Sequence, residues 1–396
     1  MSLTLGQVLD IAARRNPDLR VVEQGVEVAR TGIAIAEQRP NPYVNMSSPF
    51  GPAERKQRVM FNVPLELGGR RQARLTVAED GVKEAELTLA QSRLVVANQA
   101  RNAFIELAVA EATVRQSQVD LEFYDRLVQA ARSRFQAGDI PEADVVRSVF
   151  ERDQNARLLY PAENRRGSAV LTLNRLLGQP LATSIGVVDD GLLFPNEATL
   201  RGTTWELPPL PELQQMARER RPDLALAAQQ LETAKHRVDM ARAYQSPDVS
   251  LQATMMYDPQ FPGLTYQAGV QLELPWGSDR SGEVKQARAR EAEAIARNES
   301  TLQSADLAVS LAWTNLQNAR EQLLHDLALL QPQADQVLEL AQKTFELGQG
   351  DITEVLLAGQ SVQRQRQIFL ADVAQFHRAL GELELAINVP LTGGLP

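Results

Sequence analysis

Residues 249–274 alternate strictly. Val249, Leu251, Ala253, Met255 and Tyr257 interleave with Ser250, Gln252, Thr254 and Met256; Tyr266, Ala268, Val270, Leu272 and Leu274 then interleave with Gln267, Gly269, Gln271 and Glu273. A period of two predicts two strands, each with one apolar and one polar face. Asp258-Pro259-Gln260-Phe261-Pro262-Gly263 between them is turn chemistry, so the pair reads as a hairpin. A fainter version lies upstream, with Val44 and Met46, a charged link at 51–56, then Val59, Phe61, Val63, Leu65 and Leu67. Each hairpin follows a helical segment, one running to about residue 40 and one from about 211 to 245. Each precedes a long proline-free helical pattern, Leu65–Ile140 and Trp276–Gln331. A helix of 76 residues would span roughly 110 Å and needs long helical neighbours to cover its apolar stripe. Pro161 and Pro332 predict local kinks in the returning helices.

The layout occurs twice. Asn16-Pro17-Asp18-Leu19 recurs as Arg221-Pro222-Asp223-Leu224, and Gln72-Ala73-Arg74 as Gln286-Ala287-Arg288. Phe135, Gly138 and Asp144-Val145-Val146 recur as Phe345, Gly348 and Glu354-Val355-Leu356 in two acidic turns. Landmarks in the same order indicate duplication. The expected organisation is a first structural repeat over 1–178, a proline-rich connector over 179–211 wrapped on the helices, and a second repeat over 212–396. Four strands with one apolar face leave open edges, and a closed membrane barrel needs about eight or more. Two or three copies would have to share one; three copies of four strands give twelve.

Composition narrows the function. The formal charge of −9, without a basic patch carrying aromatics, disfavours nucleic acid. There are no cysteines, which excludes disulfides, thiolate metal sites and cysteine nucleophiles. His236, His325 and His377 are scattered, with no second histidine at helical spacing, so no metal site is written in the chain. No nucleophile elbow, phosphate loop or dinucleotide fingerprint is present, and an enzyme is not expected. Arg70, Arg71 and Arg74, with Arg280, Lys285, Arg288 and Arg290, read as a solvated or phosphate-facing rim. Met255 and Met256 read as wall residues of the strands. From residues alone, a membrane duct competes with a soluble coiled-coil scaffold holding a small sheet.

The duplication, the Asn16-Pro-Asp-Leu helix start, Val63-Pro-Leu-Glu-Leu-Gly-Gly-Arg-Arg-Gln-Ala-Arg74, and the Phe-x-x-Gly turns followed by Asp-Val or Glu-Val carry a resemblance over essentially the whole chain. The sequence resembles TolC-family outer-membrane efflux channels, and the 63–74 stretch is similar to the heavy-metal type of the CzcC/CusC kind. The resemblance implies a mainly α protein with a β-barrel part. A homotrimer would form a twelve-stranded outer-membrane barrel in lipid on a periplasmic α-helical tunnel. It also implies a periplasmic adaptor protein and an inner-membrane RND-type pump, export of metal ions or drugs, and no cofactor; a type I secretion duct is the variant within the class. The two acidic turns would be the periplasmic tips. Glu354 matches the family's acidic gate position, with Asp351 and Asp144 as further gate candidates. Gly138, Gly348, Phe135 and Phe345 would form the tip turns and meet the adaptor. Two departures stand out: Leu357 lies where a second acid is common, and Gly350 where some relatives carry a basic gate residue.

Overall fold

In the computed structural model, the residues described are 2–47, 56–188, 197, 200, 207–258, 263–273, 277 and 279–389. Nine helices among them carry the fold: α1 (Leu5–Arg15), α2 (Pro17–Glu37), α3 (Arg70–Ala137), α4 (Glu142–Leu176), α5 (Leu210–Arg220), α6 (Pro222–Ala243), α7 (Ser281–His325), α8 (Gln331–Glu346) and α9 (Ile352–Ile387). A π-helical turn, Asp326–Leu330, joins α7 to α8. Strands are β1 (Ser2–Leu3), β2 (Tyr43–Ser47), β3 (Gln57–Leu65), β4 (Gly186–Val187), β5 (Asp248–Tyr257) and β6 (Leu264–Glu273). The expected hairpin links, Leu274, Trp276 and most of the connector fall largely outside the described residues.

The chain divides into two compact units, each drawing on both ends of the sequence. One comprises 1–20, 91–221 and 304–396; the other comprises 21–90 and 222–303. In the first unit, β1 and β4 pair in parallel. Thr4 caps α1 reciprocally with Gln7, satisfying two exposed helix-end donors. One apolar cluster packs Val8, Phe104, Leu107, Leu173 and Leu177. A second packs Leu213, Leu316, Leu323, Phe376 and Leu383. Arg101 of α3 pairs with Glu384 of α9, both largely buried.

The helix start expected at Asn16-Pro-Asp-Leu is borne out, α2 beginning directly after Asn16, while the helix expected over 211–245 is broken once, at Arg221. Both residues precede proline and sit at ψ 126° and 123°, because the proline ring excludes the helical conformation from its predecessor. Asn16 makes its junction useful. Its Oδ1 accepts from the amides of Asp18 and Leu19, and its Nδ2 donates to the Leu176 carbonyl at 2.9 Å. The two expected kinks also resolve differently. Helix α4 continues from Glu142 to Leu176 through Pro161. At Pro332 the chain instead inserts the π turn, in which the Gln331 amide donates to the Asp326 carbonyl five residues back.

The second unit holds a four-stranded antiparallel sheet, ordered β2-β3-β5-β6. Its register puts Val44, Phe61, Ala253 and Ala268 in one row, and Met46, Val59, Met255 and Tyr266 in the next. These rows form the apolar face. The interleaved rows, such as Asn62 opposite Gln252, form the polar face, where Gln252 donates to Gln271.

Candidate functional site

Two features could carry function, the paired helical tips in the first unit and the sheet in the second. The tips are built alike. At the end of α3, the Gly138 amide donates to the Phe135 carbonyl and the Asp139 amide to the Arg134 carbonyl, both at 2.9 Å. At the end of α8, the Gly348 amide donates to the Phe345 carbonyl and the Gln349 amide to the Thr344 carbonyl, both at 3.0 Å. This is the same paired closure of a helix C-terminus twice, and it needs a left-handed residue at its pivot. Gly138 has φ +84° and Gly348 φ +74°, which explains the glycine in both copies.

Side chains break the likeness. Phe345 is buried at 3% exposure among Tyr124, Leu127, Ala131, Ile352, Val355 and Leu356, while Phe135 is 42% exposed. Arg134 stacks over the Phe345 ring at 4.7 Å and donates to the Phe345 carbonyl at 2.9 Å. Arg147 donates to Thr353 Oγ1 at 2.6 Å. Two arginines of the first tip thus fasten the second. A Cβ at Gly350 would lie 3.1 Å from Thr344 Oγ1 and 3.2 Å from the Phe345 amide nitrogen, so no gate side chain fits there without movement.

The acids expected at the tips also diverge. Glu354, in the first turn of α9, is exposed and makes no ion pair among the described residues. Leu357, one turn on, is also exposed. Asp351 does not share a helical face with Glu354. It is the N-cap of α9, its carboxylate accepting from the Thr353 amide at 3.3 Å, because an open helix end offers unpaired amides. Asp144, in the first turn of α4, has a side chain only 15% exposed and lies 4.0 Å from Arg147.

The arginine rim expected near the strands is corrected by the structure. Arg70 is buried, pairs with Asp248, donates to the Ser246 and Ala243 carbonyls, and stacks 5.4 Å from the Tyr244 ring. Arg280 reaches the Tyr244 carbonyl at 3.0 Å from the opposite junction, and Arg74 pairs with Glu66. Arg71 donates to the Glu37 carbonyl at 3.0 Å. Arg70, Arg74 and Arg280 thus tie the strand-to-helix junctions of both repeats to Tyr244, while Arg71 stays at the surface. Lys285, Arg288 and Arg290 remain exposed. His236 meets the buried Asp80 of α3. Among the described residues no group of three or more metal-ligating side chains occurs.

The inner strands of the sheet have the opposite polarity to a sheet built for water, while β2 and β6 are exposed on both faces. Along β5, Leu251, Ala253, Met255 and Tyr257 are exposed, while the polar-face residues Gln252 and Thr254 and their neighbour Met256 are more covered. Val270 is 67% exposed and Asn62 of the polar face 1%. Among the described residues, edge strands β2 and β6 each have one unpaired side. No helix among the described residues is long and apolar enough to cross a membrane. An apolar outer face around a sheltered polar one is what a bilayer-spanning sheet requires.

Comparison with known proteins decides the class. A family model described as outer membrane efflux protein matches residues 8–179 and 213–389. The chain belongs to the outer membrane efflux protein family. Among curated relatives, the cobalt-zinc-cadmium resistance protein CzcC of Cupriavidus metallidurans is 26% identical, over 95% of this chain and 88% of its own. The pyoverdine export outer membrane protein OpmQ of Pseudomonas aeruginosa is 24% identical, over 82% of this chain and 66% of its own. Among solved structures, CusC superposes with a TM-score of 0.80 at 16% identity, covering 97% of this chain and 91% of that one. This efflux protein is therefore an outer-membrane duct that reaches into the periplasm, and the family is one of channels rather than enzymes. Work in such an assembly implies partners that deliver cargo to it.

Proposed function

We propose that three copies of this chain close one twelve-stranded barrel in outer-membrane lipid, continued by a helical tunnel whose entrance is made by the tips. The carrying observation is the sheet, whose apolar rows are exposed, whose polar rows are covered only on the inner strands β3 and β5, and whose edges are open. A lone sheet of this kind would leave backbone groups unsatisfied in lipid, and closure between copies removes that cost. Exposed apolar positions on the helices support the same assembly, Val21, Val28 and Ile35 on α2 and Val146 and Phe150 on α4. The repeats 1–178 and 212–396 with connector 179–211 are the unit of this design.

In this reading the duct is passive. A periplasmic adaptor and an inner-membrane RND-type pump supply cargo and energy, with metal ions or small drug-like molecules as cargo. The likeness to CzcC favours metal cations. Glu354 lines the closed entrance, three carboxylates repelling one another and attracting cations. Asp144 supports that entrance from the neighbouring tip, and Asp351 serves it as the cap that starts α9. Gly138 and Gly348 fix the turns. Phe135, being exposed, is offered to the adaptor, while Phe345 shapes the tip from inside.

Planar-bilayer recording of purified protein, beside Glu354→Ala, tests this. Small cation-preferring openings that enlarge or lose preference in the variant support it. A protein that stays soluble without detergent and never conducts refutes it.

A further inference from the structure

In the first unit, two carboxylates meet away from the tips. Asp326 opens the π turn and is 3% exposed; Asp372 lies on α9 and is 7% exposed. Gln322 donates to Asp372 Oδ1 at 3.0 Å, and Gln365 to Asp326 Oδ1 at 3.5 Å. Each residue keeps its other oxygen, Oδ2, buried without a donor. Gln322, one turn before Asp326, bonds Asp372, and Gln365, two turns before Asp372, bonds Asp326, so both carboxyls lie at the same helix contact. Their chain neighbours Leu323, Leu327, Val373 and Phe376 belong to the second apolar cluster, so water offers little relief.

Neighbouring charges are occupied elsewhere or are not cations in contact. Arg366 pairs with Asp120 at 3.6 Å and Asp335 at 3.0 Å. Arg320 donates both its bonds to the Leu200 carbonyl. The His377 ring lies against Phe376, and His325 adjoins Asp326 in the chain. Among the described residues neither aspartate has an ion-pair partner.

We propose that Asp326 and Asp372 share one proton across this helix contact, and that losing it loosens the α8–α9 hairpin that carries the second tip. Two buried carboxylates facing each other cannot both ionise without strong repulsion, whereas one proton between them supplies the missing donor. Asp326 opens the π turn that precedes Pro332, a helix irregularity of the kind frequent at functional sites. Burial first, and then the neighbouring carboxyl, push Asp372 up to about 6. A carboxyl raised on folding stabilises the fold at pH below the ordinary carboxylate range, and that contribution is lost as pH rises through about 6. Mild acid therefore locks the hairpin, and neutral or basic solution frees it. The coupling to opening, unlike the shared proton, rests on the proposed gate at the tips.

The test uses the full chain in lipid, as wild type, Asp372→Asn, Asp326→Asn and Gln322→Leu. Infrared difference spectra across pH 5–8 should show wild type losing a protonated-carboxyl band near pH 6, absent in Asp372→Asn. Gln322→Leu should shift that loss to higher pH, and it keeps the test alive if an Asn variant misfolds. The wild-type melting temperature should fall by a few degrees over the same window and that of Asp372→Asn should not. Single-channel open probability should rise with pH in wild type, at a higher pH in Gln322→Leu, and in neither Asn variant. An identical infrared transition in both Asn variants overturns the shared proton. A band that vanishes in the variants, with open probability indifferent to pH, overturns the coupling; if Glu354→Ala is equally silent, the tip gate is the part that failed.

Discussion

Arginine placed on adjacent residues of β6 separates a lipid-facing sheet from one in water. Strand β6 has ten residues, and Ala268 lies near its middle, in the apolar row with Val44, Phe61 and Ala253. Gln267 is its neighbour, in the polar row opposite Thr254. At about 3.4 Å per residue and a tilt near 45°, ten residues cover roughly 24 Å of membrane normal. Ala268 then sits close to the midplane, where an outward arginine costs about 2–4 kcal/mol per chain. That converts to a roughly thirty- to thousand-fold loss in the folding equilibrium into lipid. Gln267→Arg lies in the polar row, which the proposed barrel turns toward its water-filled interior, and should cost under about 1 kcal/mol. Urea titrations of folding into vesicles, read by flotation, measure both. Equal losses, or a larger loss for Gln267→Arg, would refute the assignment of faces. A scaffold in water would tolerate Ala268→Arg, since the side chain is already exposed.

Other expectations follow from the tips. Phe345→Ala should destabilise the tip by about 3–5 kcal/mol, and Phe135→Ala by under about 1, as hydrogen exchange of α8 and α9 can compare. Gly348→Ala forces a side chain into the left-handed region at about 1–2 kcal/mol, visible as a lower unfolding midpoint. Arg147→Ala removes one partly exposed, charge-assisted bond to Thr353, worth about 1 kcal/mol. If that bond holds the closed arrangement, open probability should rise roughly five-fold.

Legibility in the sequence tracked the range of the forces. The β5–β6 hairpin was plain because alternation is local, and the register bears it out. Both tip glycines were legible because a chain reversal after a helix needs positive φ at one residue. The helix start at Asn16-Pro-Asp-Leu was legible from its proline, whereas continuing helical periodicity masked the break at Arg221 inside the 211–245 span. Asp351 looked like a helix-face acid because spacing alone cannot distinguish the cap from the first turn. The arginines near the strands looked solvated because Asp248 lies 178 positions from Arg70. Asp80 and His236 are 156 positions apart, and no local pattern announces such pairs.

The duplication sets up a chain whose two tips share a backbone and differ in duty. Equivalent closures at Gly138 and Gly348 make the reversals superposable in hydrogen bonding. Arginine placement is unequal. Arg134 and Arg147 belong to the first copy, and both reach residues of the second, Phe345 and Thr353. The second tip buries its phenylalanine beneath an arginine; the first leaves its own phenylalanine uncovered. The exposed Glu354 stands on the fastened tip, and the more covered Asp144 on the fastening one. Loosening the arginines should therefore move the second tip more than the first. A label placed at Gln349 should report larger displacement than one at Asp139 when Arg134 and Arg147 are both replaced by alanine. Equal displacement would mean that the tips move as one body and that the asymmetry of side chains serves packing alone.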